Sequence, residues 1–143
     1  VRTFEAAAYL KKHGASTVEV KKMFSSSMEA YQKKTKLVSM AQIYKKCAIT
    51  VAESKNEDLR IVAAQAADEL LTINDVDASF VLYEYDNKIM VSARSMGAVN
   101  VQVIMEYLGG GGHLSMAGAQ FSGSTLKNVT QDIKRSIDKY YSE

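Results

Sequence analysis

Four consecutive glycines and a histidine, Gly109-Gly110-Gly111-Gly112-His113, are the residues of this chain that most directly imply chemistry. Glycine loses more backbone freedom on folding than any other residue. A run of four is kept where the chain needs positive φ or where a ligand must approach bare backbone. Successive N–H groups in such a conformation form a concave anion site, a nest. A histidine closing the run can donate to a phosphate oxygen, more strongly when protonated. The expectation is a phosphate-binding loop. The plain alternative is a flexible turn between a helix and a strand, although flexible linkers usually interleave serine with glycine. Upstream, Arg94 can grip a phosphate bidentately. Ser92 lies two residues before it, so both project from one face of a strand. Ser92 and Ser95 can add hydroxyl donors.

What is missing narrows the chemistry further. The only histidines are His13 and His113, and the only cysteine is Cys47. There is no His-Glu-x-x-His, no Asp-His-His and no cysteine pair, so a metal site built wholly from this chain is not expected. No acid partner stands near the loop to complete a Ser-His-Asp triad. No Gly-Lys-Ser/Thr follows the glycines, so the loop is not a P-loop. Cys47 has no identifiable acid–base partner and reads as a small packed residue. The residues describe a phosphate-grasping module with no catalytic group of its own.

The elements that must position these residues follow from periodicity. Thr3 can cap a helix over Phe4–His13, with Gly14 as its left-handed stop. Ser16 and Glu19 read as a capping box for a short helix ending near Phe24. Ser25-Ser26-Ser27 then breaks the pattern, and a further helix runs from Ser27 to Met40 with Lys33, Lys34 and Lys36 on its wet face. Tyr44 to Cys47 is a turn region between two short strands, and Ala48–Ala52 is β-branched and alternating. Asp58 opens a helix to Leu71, marked by Ile61, Ala64, Gln65, Asp68, Leu71 and neighbouring alanines. Ala78–Tyr85 and Lys88–Arg94 form a hairpin about Asp86-Asn87. Asn100 caps a helix over Val101–Leu108 whose inward stripe is Val101, Ile104, Met105 and Leu108. Met116–Phe121 is a small-residue strand. Thr125 caps a last helix to Tyr141, with Leu126, Val129, Ile133, Ile137 and Tyr140 inward. The order β-α-β-β-α-β-α after a helical lead-in predicts an α/β (α+β) fold with a mixed sheet flanked by helices.

Composition fits one globular domain, or one domain and part of another. The 143 residues are 47% hydrophobic and 24% charged, with a net charge of +2. That charge permits an anionic ligand without implying a long nucleic acid. One cysteine excludes an internal disulfide. No apolar stretch reaches membrane-spanning length. The opening Val1-Arg2-Thr3, without an initiator methionine, leads us to expect a fragment of a longer protein.

Ser92-Ala-Arg-Ser95, Val99–Leu108, Gly109-Gly-Gly-Gly-His113 and Ala117-Gly-Ala-Gln120 together resemble the DHHA1 domain of DHH-family phosphoesterases. Arg2–Leu10 and Ala63–Leu71 are similar to the membrane-anchored cyclic-di-AMP phosphodiesterases of the GdpP type. Typical members often carry two alanines where this chain has Ala117-Gly118. The resemblance implies that residues 1–40 are the helical tail of a DHH domain with its linker, and 41–143 the DHHA1 substrate-binding domain. It implies that Ser92, Arg94, Asn100, Gly110, Gly111, Gly112 and His113 hold substrate. It places no catalytic and no metal-binding residue here. A pair of Mn2+ ions in the upstream DHH domain would activate the attacking water. The ligands implied are cyclic-di-AMP, 5′-pApA or related short adenine nucleotides. The implied protein partner is the parent's own DHH domain, with a homodimer among the allowed assemblies. The parent would sit in the bacterial cell membrane with this part facing the cytoplasm, and the fragment itself would be soluble. The alternatives are a DHH-family nanoRNase or pAp phosphatase, a nucleic-acid-binding DHHA1 module without hydrolytic role, and a purely structural domain.

Overall fold

The computed structural model describes residues 17–54 and 58–142, with side chains from residue 28 on. The chain divides into two compact units, residues 1–33 and 34–143. The helix expected over Phe4–His13 lies outside the described residues.

Helix α1 runs unbroken over Thr17–Ser39. This corrects the expected break at Ser25-Ser26-Ser27. Serine costs a helix only about 0.5 kcal/mol relative to alanine, and neither glycine nor proline is present to stop it. In the first unit Glu29 and Lys33 pair one turn apart at 3.5 Å.

The second unit is a six-stranded mixed sheet. Its strands are β1 (Gln42–Tyr44), β2 (Cys47–Val51), β3 (Ala78–Tyr85), β4 (Lys88–Ser95), β5 (Gly111–Gly112) and β6 (Met116–Ser122), in the spatial order β1-β2-β3-β4-β6-β5. Only β2 and β3 run parallel, joined through α2 (Arg60–Leu70). The β1–β2 and β3–β4 hairpins close through two-residue turns with positive φ at both positions, Lys45-Lys46 and Asp86-Asn87. That geometry matches the right-handed twist of the flanking strands.

One sheet face carries Cys47, Ile49, Phe80, Leu82, Ile89, Val91 and Ala93. It packs on α3 (Val101–Glu106) and α4 (Leu126–Ser142) through Val101, Ile104, Met105, Val129, Ile133 and Ile137. Thr125 caps α4 as expected, its Oγ1 accepting from the Asn128 N–H at 3.1 Å. Asp138 of α4 accepts from the Tyr44 hydroxyl at 2.8 Å and pairs with Lys45 at 2.6 Å, which clasps the β1 turn. The opposite sheet face is covered by α2. Its buried side is Val62, Ala63, Ala66, Ala67 and Leu70, whereas Ile61 is 73% exposed. Small alanines bring the helix close enough for the Ser79 hydroxyl to donate to the Ala67 carbonyl at 2.6 Å.

Candidate functional site

The alternation along β4 sorts its residues cleanly. Ile89, Val91, Ala93 and Ser95 are buried, and Lys88, Met90, Ser92 and Arg94 are half-buried on the α2 side. Ser95 is therefore turned away from Ser92 and Arg94. Its hydroxyl donates to the Val99 carbonyl at 2.6 Å and accepts from the Gly97 N–H at 3.2 Å. This corrects its expected role as a ligand donor: it ties a loop instead.

Register extends the α2-side face across the sheet. Ser92 pairs with Gly118 of β6, and Gly118 pairs with Gly111 of β5. Paired residues project to the same face. Ser92, Gly118 and Gly111 thus form a row in which two of three positions are bare backbone. The neighbouring row places Arg94 beside Met116. Helix α2 packs on β3 and β4. Beyond it, Met116 and Gln120 are exposed, with Gly118 and Gly111 half-buried. Among the described residues of this unit, the β6–β5 end of that face has no covering helix.

The glycines do different jobs. Gly109, at φ 82°, ends α3. Its N–H donates to the Glu106 carbonyl at 3.1 Å, and the Gly110 N–H to the Met105 carbonyl at 2.8 Å. This is the paired closure that left-handed helix stops make. A Cβ on Gly110 would lie 2.7 Å from the Ala119 Cβ, and one on Gly112 would lie 2.5 Å from the Ala117 Cα. Both positions are closed by β6. A Cβ on Gly111 would meet nothing within 4 Å. The nest of successive free N–H groups does not form, because Gly109, Gly110 and His113 each donate to backbone carbonyls. What forms is a bare strip of backbone with Gly111 facing open space.

Arg94 is held at the edge of this strip. Its side chain is only 13% exposed, and its Nε lies 3.6 Å from Asp68 Oδ1 of α2. Its Nη1 donates to its own neighbour, the Ala93 carbonyl, at 2.9 Å. Guanidinium carries five N–H donors in a planar fork, so these contacts leave others for an anion. His113 is exposed in the turn that leads to Met116, its N–H donating to the Met116 carbonyl at 2.6 Å.

Asn100 has a structural task. Its Oδ1 accepts from the Val103 N–H at 3.3 Å, and its own N–H donates to the Tyr140 hydroxyl at 3.0 Å. The structure therefore brings Ser92, Arg94 and Gly111 onto one face, with Gly110 and Gly112 as their support, and sets Asn100 against α4. Sequence reasoning missed Asp68 and Gly118 as parts of this face. Period-two alternation pointed to Ser92 and Arg94, but only strand register brings Gly118 beside Gly111.

Among the described residues, no three His, Cys, Asp or Glu side chains gather so as to hold a metal ion. The described residues offer no ligand set for a catalytic metal.

Comparison with known proteins identifies the family. The chain is 41% identical over 144 residues to the cyclic-di-AMP phosphodiesterase GdpP of Bacillus subtilis, covering 98% of this chain and 22% of that protein. It is 44% identical over 143 residues to the GdpP of Geobacillus thermodenitrificans, with the same coverage of each. The chain thus spans only about a fifth of the length of these relatives. Among solved structures, an exopolyphosphatase-related protein from Bacteroides fragilis shares the fold with a TM-score of 0.68 at 23% identity, over 78% of this chain and 34% of that one. RecJ of Thermus thermophilus in complex with Mn2+ does so with a TM-score of 0.62 at 14% identity, over 86% of this chain and 19% of that one. The DHHA1 domain model matches residues 5–143, and the chain belongs to the DHHA1 family.

Proposed function

We propose that this chain is the substrate-binding part of a phosphodiesterase that hydrolyses cyclic-di-AMP to 5′-pApA. The observation that carries the reading is the row Ser92–Gly118–Gly111 with Arg94 beside it, on a sheet face left open. A phosphate can approach the bare backbone at Gly111 closely. The Ser92 hydroxyl then donates to one of its oxygens, and the Arg94 guanidinium neutralises its charge through parallel N–H bonds. His113, exposed at the end of the strip, donates from the rim. Gly110 and Gly112 permit the strip to lie against β6, and Asn100 holds α3, the element that delivers it.

The metal chemistry belongs to the DHH domain of the whole protein, and manganese is our assignment for it. That metal would supply an activated water when bound. Residues 1–40 are read as the connection to that domain, and 41–143 as the binding body. In the whole protein this part faces the cytoplasm from a membrane anchor; no helix among the described residues is long and apolar enough to cross a membrane. Three or four charge-assisted bonds contribute roughly 1.5–3 kcal/mol each, against association costs of ~4 kcal/mol or more. The isolated chain should therefore bind with micromolar to millimolar dissociation constants.

The test is an amide-shift titration of the isotope-labelled chain with 5′-pApA, beside Gly111→Ala, Arg94→Ala and His113→Ala. Saturable shifts around Gly111 are expected, lost in Gly111→Ala although that variant keeps its stability within about 0.5 kcal/mol. Unchanged binding by Gly111→Ala would sink the reading, because a mere turn has no use for open space at that position.

A further inference from the structure

The open face does not end at the phosphate row. Met116 is 51% exposed, Leu114 48% and Met96 78%. Met116 stands directly across from Arg94 on the same face. Leu114 and Met96 sit on the two loops that meet at this end of β4. The Ser95 N–H donates to the Ser115 carbonyl at 2.9 Å, and the Val101 N–H to the Leu114 carbonyl at 3.1 Å. The Ser95 hydroxyl, held by Val99, also lies 3.3 Å from the Leu114 carbonyl. These bonds fix residues 96–99 and 113–116 beside each other. Elsewhere on this unit, Met40 and Ile43 are exposed beside β1, and Ile61, Ile73 and Tyr141 from separate elements.

We propose that Met116, flanked by Met96 and Leu114, is the wall against which a nucleobase lies when its phosphate occupies the Ser92–Gly118–Gly111 row. The inference rests on the phosphate reading and adds the part of the ligand that this reading leaves unplaced. The two rows are about 7 Å apart along the strands. A ligand anchored by phosphate at one row and reaching the other must present something apolar and flat to Met116. Thioether sulfur packs favourably on aromatic rings, and every base offers a π-face. Gln120 lies in a row on the far side of Ser92, opposite Met90. Met116, Met96 and Leu114 themselves offer stacking and no base-edge hydrogen bond. The wall favours a nucleotide over a bare sugar phosphate and does not separate adenine from guanine.

The experiment uses the whole chain with 13C-labelled methionine methyls, titrated with 5′-pApA, 5′-pGpG and ribose 5-phosphate. Both dinucleotides should move the Met116 and Met96 methyl signals by ring current, and ribose 5-phosphate should not. Met116→Ser should weaken both dinucleotides about three- to tenfold and leave ribose 5-phosphate unchanged. The proposal is overturned if the dinucleotides shift the Gly111 amide but no methionine methyl, or if Met116→Ser weakens all three ligands alike. The first result would make the wall a contact for the rest of the protein. If no ligand moves the Gly111 amide, the phosphate reading fails and this one falls with it.

Discussion

Gly110, Gly111 and Gly112 are one residue type under three different constraints. Alanine at 110 or 112 would drive a methyl into β6, and we expect each to lose about 2 kcal/mol or more in thermal denaturation. Alanine at 111 should not. A stability scan of the three variants thus separates the glycines required by the fold from the one that faces open space. Cys47 makes a second prediction at this scale. It is fully buried, and burial pushes its thiol up to about 11. Thiolate is the reactive form, so alkylation by iodoacetamide at pH 8 should proceed only as fast as the chain opens; rapid labelling of native protein would contradict this. The packing of Cys47 in the core was legible in the sequence, and so was the shared face of Ser92 and Arg94. The inward turn of Ser95 was implicit in the same alternation, since it is one residue removed from Arg94. The pairing of Gly118 with Gly111 was not legible, because it depends on register across β4, β6 and β5.

Among the elements, the hairpins were readable because Asp86-Asn87 interrupts two alternating runs, and both residues tolerate positive φ. Lys45 and Lys46 tolerate it poorly, yet they stand at φ 49° and 66°. A non-glycine residue in the left-handed region costs roughly 1–2 kcal/mol. Lys45 is compensated by Asp138. For Lys46→Gly, relief of strain exceeds the added chain entropy, and a gain of about 0.5–1 kcal/mol in denaturant unfolding is expected. The continuity of α1 was hidden because three serines resemble a break. Serine is only mildly unfavourable in a helix, and local propensity yields to the length of the surrounding pattern. Helix α3 ends earlier than its apolar stripe, at Glu106, because the glycine closure draws Leu108 and Gly109 into the stop.

At the scale of the whole molecule, pH should act through groups that burial keeps neutral. The folded pKa of Cys47 is raised from 9.0 to about 11, and burial also raises Tyr83. For such groups the neutral form is favoured by folding. Their contribution is complete below the unfolded pKa and is lost as pH climbs through the folded one. Two units at Cys47 amount to about 2–3 kcal/mol. Denaturant midpoints should therefore fall between pH 9 and about 11, and fall less steeply in Cys47→Ala. The sheet has a further consequence at this scale. Its inner strands β2, β3, β4 and β6 run five, eight, eight and seven residues, while its borders β1 and β5 have three and two. Long unpaired borders template fibres, and brevity is one defence against them. The two-glycine border has no side chain to guard it and relies on shortness alone. Lengthening β5, by making the closure at Gly109 extend into strand, would turn a short bare rim into a seed for chain-to-chain stacking.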